Sequence, residues 1–209
     1  MKKLLFQLLI FNMVSWQCKT SGQDITCDGN NTLHLSSNAK SYFYFKQGSW
    51  WVYYNEVINQ YDSLYVTSSR NDIRKPGDDD DKNKCYEIVR LSVGNDTNGL
   101  RLNTDMDVSS DRTVIVERHR YDNGQLSDFE LLFVADSIVL LNDVRPYNIK
   151  LIDSTITQQV VYKNLIEIKS DKIMFDDFDY RLYGKNVGLI KFIDKQSNKW
   201  ELIKYHINQ

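Results

Sequence analysis

Short runs of apolar residues, several of them alternating with polar ones, recur from about residue 40 to the end of the chain. Residues 50–54, 86–91 and 114–119 are three such runs, each rich in β-branched or aromatic side chains. Runs of this kind between clusters of Asn, Asp and Gly are strand signals, and we count about ten to twelve of them. The sequence therefore predicts an all-β domain, either an antiparallel sandwich or a closed or half-open barrel.

The residues between the runs favour antiparallel pairing of neighbouring strands. Asn123 and Gly124 lie between two runs and form a hairpin cue, and residues 194–199 are expected to form the last turn. Weaker strands are expected at residues 100–102 and 149–151. Gly188 lies inside an alternating run, which indicates a bulge or a close approach of another part of the protein to the backbone.

The composition excludes several classes of protein. The 26 Lys and Arg residues nearly balance the 28 Asp and Glu residues, so the chain lacks the basic footprint of a nucleic-acid binder. With 42% hydrophobic residues in 209, it can bury the core of one domain.

We expect residues 1–17 to be a signal peptide, residues 18–40 to be a polar tether beginning with a lipidated cysteine, and residues 41–209 to be the β domain.

The first residues have the form of a secretory signal peptide. Lys2 and Lys3 precede a mostly apolar run at residues 4–14. A membrane-spanning helix needs about 20 apolar residues, so this run is too short to span a bilayer. We therefore expect an exported protein, with an N-terminal amphipathic or core helix as the alternative.

Cys18 ends the apolar region and is followed by the polar residues 19–24. This arrangement resembles a bacterial lipoprotein signal, in which the cysteine is diacylated and becomes the mature N-terminus. The sequence departs from the pattern because Gln17 and Trp16 stand where small residues are usual. The resemblance implies a lipid anchor in the cell envelope, in the outer membrane on its periplasmic or surface face. A plain signal peptide, cleaved near the same position, is the alternative.

The chain has three cysteines, and an exported chain meets an oxidising compartment. If Cys18 carries lipid, Cys27 and Cys85 are left as a possible pair that would join the tether to the β domain. Two separate buried thiols are the alternative. The sequence has no Cys-x-x-Cys motif or Cys/His cluster, so we expect no metal and no cofactor.

Two segments carry a resemblance that covers most of the domain. Residues 42–54 include Gly48, Trp50 and Trp51, and residues 183–192 include Gly188 and are followed by Trp200. The pair resembles the small exported lipoproteins of Bacteroidetes type, many of which have no assigned function. The resemblance spans about residues 42–203, and the Pro that often precedes the Gly-x-Trp is missing here. It implies an antiparallel β domain on a lipid tether, with no catalytic residues.

The sequence offers little catalytic chemistry. His34, His119 and His206 are far apart, and none stands in a recognised catalytic motif. The acidic run at residues 78–81 is expected to form an exposed, mobile loop without the ligand spacing of a calcium site. We therefore expect no enzyme. A periplasmic hydrolase is the alternative, and it would need a cleft that brings His119 or His206 together with carboxylates.

A carrier of hydrophobic molecules is a second functional hypothesis. Gly48-Ser49-Trp50 resembles the Gly-x-Trp strand opening of lipocalins. This resemblance implies a barrel that holds one small apolar ligand, in a cavity to which we assign Tyr53, Tyr65, Phe133 and Tyr162.

The leading expectation is an exported, lipid-anchored protein that acts as a non-catalytic binding or structural module at the cell envelope. Its expected partners are the membrane, through the anchor, and a hydrophobic small molecule or an envelope protein, but no nucleic acid.

Overall fold

The computed structural model describes residues 25–94, 101–109, 112–120, 126–134, 137–139, 147–170, 178–194 and 196–209. Within these ranges the chain forms thirteen strands and one short helix. In chain order the elements are β1 (Thr32–Leu33), α1 (Ser37–Phe43), β2 (Trp50–Asn55), β3 (Gln60–Arg74), β4 (Cys85–Gly94), β5 (Arg101–Ser109), β6 (Arg112–Arg120), β7 (Leu126–Val134), β8 (Ser137–Val139), β9 (Tyr147–Thr157), β10 (Val160–Ser170), β11 (Phe178–Gly184), β12 (Gly188–Asp194) and β13 (Lys199–His206).

Twelve of these strands form one antiparallel sheet in the order β8-β7-β6-β5-β4-β3-β2-β13-β12-β11-β10-β9. The short strand β1 joins it by parallel pairing with β4. Strands β2–β8 and β9–β13 are two meanders, and the pairing of β13 with β2 joins them, with Leu202 opposite Tyr53. Among the described residues no pairing links β8 to β9, so the sheet is open. The prediction of an all-β, antiparallel fold is confirmed.

The strands predicted with the weakest patterns are present as β5 and β9. The turn predicted at residues 194–199 is also present, between β12 and β13. Strand β3 is longer than its pattern indicates, since polar residues 68–72 continue the pairing with β4. The hairpin cue at Asn123 and Gly124 lies outside the described residues, as do the expected signal peptide and Cys18.

The folded domain begins before the boundary that the sequence predicts at residue 41. Helix α1 starts inside the expected tether, because the Ser36 hydroxyl accepts a hydrogen bond from the Ala39 amide at 3.2 Å and caps the first turn. Leu35 and Ala39 are buried in the core together with Phe43 at the end of the helix. The segment is mostly polar, so the sequence predicts a tether and gives no sign that a few apolar residues attach it to the sheet.

The two segments that carry the family resemblance contact each other in the core. Trp51 Nε1 donates a hydrogen bond to the carbonyl oxygen of Val187 at 2.5 Å, and the Tyr53 hydroxyl donates to that of Leu189 at 2.8 Å. Both aromatic residues are buried, so these bonds satisfy polar groups that would otherwise lack a partner inside the protein.

Gly188 allows this contact, as its position in an alternating run predicts. Its φ is +85°, a conformation that residues with a Cβ rarely adopt. A Cβ placed there would lie 3.0 Å from Phe45 Cε2 and 3.3 Å from Trp51 Cζ2. The aromatic rings therefore pack directly against the glycine backbone.

We expect Gly188→Ala to destabilise the protein by about 2–3 kcal/mol, since it adds backbone strain to a clash with two rings. Urea unfolding followed by tryptophan fluorescence measures this loss. Gly29→Ala is the matched control, because a Cβ placed at Gly29 would have no neighbouring atom within 4 Å, and it should change stability by less than about 0.5 kcal/mol. Equal stabilities of the two variants would contradict the packing described here.

Candidate functional site

A disulfide fastens the N-terminal part of the described chain to the sheet. It joins Cys27 to Cys85, the first residue of β4, with 5.6 Å between the two Cα atoms. Of the two alternatives that the sequence leaves open for these cysteines, the structure has the disulfide. Next to it, the Cys85 amide donates to the Asn31 carbonyl oxygen at 2.9 Å, and β1 pairs with the start of β4.

A buried carboxylate holds the following residues. The Glu87 side chain is 4% exposed and accepts four hydrogen bonds. Lys40 Nζ of α1 lies 2.5 Å from Oε1, and Asn71 Nδ2 of β3 lies 2.9 Å from the same oxygen. The Leu35 amide and His34 Nδ1 lie 3.0 and 3.2 Å from Oε2. Together with the disulfide, these contacts make up what we call the attachment site.

The environment of Glu87 favours its ionised form. Burial by itself raises the pKa of this carboxyl, but hydrogen bonds from Lys40, Asn71 and the Leu35 amide outweigh it and hold the pKa below its ordinary value. Both carboxylate oxygens are engaged with the N-terminal segment or with β3, so the geometry suits fastening that segment to the sheet.

The sequence contains a signal for Glu87, although we did not predict the site from it. In a strand, alternate residues share a face, so Glu87 lies on the same face as Cys85, Val89, Leu91 and Val93. All five are buried. A single carboxylate on an otherwise apolar strand face indicates a buried charge that needs partners.

The acidic run at residues 78–81 is only partly the solvated loop that the sequence predicts. Asp78, Asp79 and Asp81 are exposed, but Asp80 accepts hydrogen bonds from the Arg74 guanidinium and from the Gly77 amide. The bond from Arg74 is the main cause that lowers the pKa of Asp80. The loop is therefore anchored to the end of β3 by one of its four carboxylates.

An apolar cavity lies between α1 and the sheet, with a volume of about 30 Å³. Its lining includes Tyr42 and Phe43 from α1, Tyr53 from β2 and Leu91 from β4. Burial raises the pKa of Tyr53 well above its ordinary value, so the hydroxyl stays protonated and donates to Leu189. Ligand sites start at about 300 Å³, so a cavity of this size gives the carrier hypothesis no support.

Of the four residues assigned to a ligand cavity, only Tyr53 lines this one. Tyr65 is half-buried and pairs with Trp50, and Phe133 is buried away from the cavity lining. Tyr162 is buried outside the lining as well, but near enough to Tyr53 to help raise the pKa of its hydroxyl. The histidines also differ from one another: His34 contacts Glu87, and His206 stacks on Trp50 with 6.2 Å between ring centroids. The side chain of His119 lies outside the described residues.

Two other kinds of site are absent from the described ranges. The His, Cys, Asp and Glu residues described there form no group of three or more that could hold a metal ion. The helical part of the same ranges contains no segment with the length and hydrophobicity needed to cross a membrane. Comparisons with known proteins add no relative, since no family model, no curated protein and no solved structure matches the chain.

We expect replacement of both bridged cysteines, Cys27→Ala with Cys85→Ala, to destabilise the protein by about 4 kcal/mol, because the bridge closes a loop with a sequence separation of 58. Urea unfolding of the variant and of the wild type, with and without reductant, measures the loss. Reductant should lower the stability of the wild type to that of the variant and leave the variant unchanged. A wild type insensitive to full reduction would contradict the prediction.

We expect Glu87→Gln to destabilise the protein by about 2 kcal/mol at pH 7, since Lys40 loses a charged partner. The native pKa of Glu87 is lowered, so the unfolded chain binds the proton more tightly. This contribution is therefore complete above the unfolded pKa of about 4.3 and is lost as the pH falls through the native value.

Unfolding curves collected between neutral pH and about pH 2 test this sign, and the variant should lose less stability on acidification than the wild type. Asp72→Asn removes an exposed carboxylate on the neighbouring strand β3 and serves as the control. Parallel pH profiles for the wild type and Glu87→Gln would show that the prediction is wrong.

Proposed function

We propose that this chain is an exported, lipid-anchored protein of the cell envelope that acts as a non-catalytic binding or structural module. The observation that carries the proposal is the disulfide between Cys27 and Cys85. Disulfides persist in oxidising compartments outside the cytosol, which supports export. The bridge uses two of the three cysteines and leaves Cys18 for the lipid that its sequence context predicts.

The attachment site suits a domain that is held through its N-terminus. Cys18 precedes Cys27 by nine residues, which reach at most about 30 Å when fully extended. At the end of this connection the chain is fastened to the sheet by the disulfide and to Glu87 through Leu35 and Lys40. In the proposed arrangement, the end of the domain that carries Cys85 faces the membrane.

The proposal of a non-catalytic role is supported by how the clustered titratable groups are used. Lys40 and His34 both contact Glu87, and Glu87 also accepts a hydrogen bond from the Leu35 amide of the N-terminal segment. Catalysis would require such groups to face a substrate site. In this protein their hydrogen bonds hold a segment of the chain in place.

The experiment is the intact mass and the membrane fractionation of the protein produced in a bacterium with a lipoprotein pathway. The wild type should begin at Cys18, carry the mass of its acyl groups and sediment with membranes, because two acyl chains anchor stably where one does not. Cys18→Ala should remain unacylated and appear in the soluble fraction.

The control is the double variant Cys27→Ala and Cys85→Ala, which should still be acylated and membrane-bound because it retains Cys18. An unmodified wild-type chain cleaved elsewhere and released from membranes would overturn the anchor.

A further inference from the structure

The most exposed apolar side chains of the described chain are concentrated at two hairpins. Val57, at the turn between β2 and β3, is 86% exposed, and Ile156, at the end of β9, is 71% exposed. Each has exposed apolar neighbours in its own hairpin. The set, which we call the hairpin surface, consists of Val57, Ile58, Tyr61, Ile156, Val160 and Val161.

A hydrogen bond brings the two hairpins together. Gln158, in the turn between β9 and β10, donates from Nε2 to Glu201 Oε2 at 3.1 Å. Glu201 on β13 pairs with Tyr54 on β2, and the Tyr54 ring centroid is 4.9 Å from that of Tyr61. The tip of the β9–β10 hairpin therefore lies beside the β2–β3 hairpin.

In the sheet, β12 and β11 lie between β13 and β10. The β9–β10 hairpin must therefore bend out of the sheet for its tip to reach Glu201 on β13. We place the bend at Asn164, which has a φ of +53° and, with Asp153 opposite it, interrupts the otherwise regular pairing of β10 with β9. On the bent hairpin Tyr162 and Thr157 are buried on one face, whereas Ile156 and Val161 pair with each other on the opposite face and are exposed. Val160 pairs with Thr157 at the turn and is exposed at the tip of the hairpin. One side of the hairpin thus packs on the protein, and the other extends the apolar surface.

The turn that makes the link is strained. Gln158 and Gln159 have φ values of +50° and +66°, where two-residue hairpin turns usually have Asn and Gly. Residues that carry a Cβ rarely adopt such a conformation, because it is sterically disfavoured. The strained turn positions the Gln158 amide that contacts Glu201, so the chain maintains the contact between the hairpins at a cost in stability.

We propose that the hairpin surface binds the hairpin surface of a second copy of this chain in a two-fold symmetric dimer. From their exposed fractions, the six residues together expose on the order of 600 Å², the upper end of the range for the largest apolar patch of a monomer. Covering this area on both copies buries about 1,200 Å², the lower end for specific interfaces. An isologous interface requires a self-complementary surface, and two apolar surfaces of this kind meet that requirement.

The two hairpins carry exposed residues of opposite charge beside the surface. Glu56 is exposed beside Val57 on one hairpin, and Lys163 is exposed near Val161 on the other. In a two-fold dimer that places the β2–β3 hairpin of one copy on the β9–β10 hairpin of the other, each Glu56 faces a Lys163. The pairing occurs twice, as symmetry requires.

The position of the hairpin surface favours a second copy over the anchoring bilayer as the partner that covers it. This argument rests on the proposed function. Strand β3 runs from Gln60, beside the hairpin surface, to Arg74, which pairs with Tyr86 next to the disulfide. Fifteen strand residues extend for about 50 Å, whereas the nine residues after Cys18 reach about 30 Å. The hairpin surface therefore faces away from the membrane that holds the lipid.

The first test is sedimentation equilibrium of the full chain in detergent, with the Cys18→Ala chain measured beside it. We expect both to dimerise and Ile156→Asp to weaken the dimer at least about tenfold, because it places a charge in a desolvated interface. Leu151→Asp is the control, since Leu151 is an exposed apolar residue of β9 outside the surface, and it should leave the dimer unchanged.

The second test uses charge exchange. Glu56→Lys and Lys163→Glu should each weaken the dimer at least about tenfold through like-charge contacts. An equimolar mixture of the two variants should restore dimers, since each contact then pairs a lysine with a glutamate.

A wild type that stays monomeric at all concentrations, or a mixture no more dimeric than its components, would overturn the proposal. Loss of vesicle binding in Ile156→Asp, with a monomeric wild type, would assign the surface to lipid instead. Dimerisation of Cys18→Ala, together with an unacylated wild type, would overturn the proposed lipid anchor and support the proposed dimer.

Discussion

The pairing of the last strand with the first strand of the main sheet is the constraint on which the architecture depends. Strand β13 joins two meanders that are each local in sequence, and its contact with β2 connects residues about 150 positions apart. The register of this pair places Trp51 and Tyr53 within reach of the Val187 and Leu189 carbonyl groups. The same register sets Glu201 opposite Tyr54, and this places the β9–β10 hairpin. The core contact and the surface contact are thus two results of one strand pairing.

Buried polar groups connect the elements that the sheet alone does not hold. Helix α1 has seven residues, too few to be stable without tertiary contacts. Lys40 binds Glu87 on β4, and the Tyr42 hydroxyl donates to the carbonyl oxygen of Asn164 at 2.9 Å. The helix therefore contacts both meanders, and it reaches β10 at the residue where that strand bends. These hydrogen bonds act together with the burial of Ala39, Tyr42 and Phe43 in the core to set its position.

The sequence predicted the elements that depend on local pattern, and it failed where distant residues determine the outcome. Alternation predicted the strands, including the weak ones near residues 101 and 149, because period-two patterning is a property of each strand alone. The hydrogen-bond partners of Glu87 depend on where the N-terminal segment lies, and the local sequence pattern does not predict that position. The cysteine pairing stayed open for the same reason. The contact between Gln158 and Glu201 crosses two intervening strands, and a Gln-Gln turn has no recognised hairpin signature.

The disulfide also changes how the protein responds to a mechanical pull. Tension applied between the N-terminus and the C-terminus passes from Cys27 through the sulfur atoms to Cys85, and from there into β4. Residues 28–84 lie off this covalent path, so α1, β2 and β3 cannot be drawn out in length while the bridge is intact. About 200 Å of potential extension is hidden in this way. Under load, only the chain before Cys27 and the chain after Cys85 can lengthen.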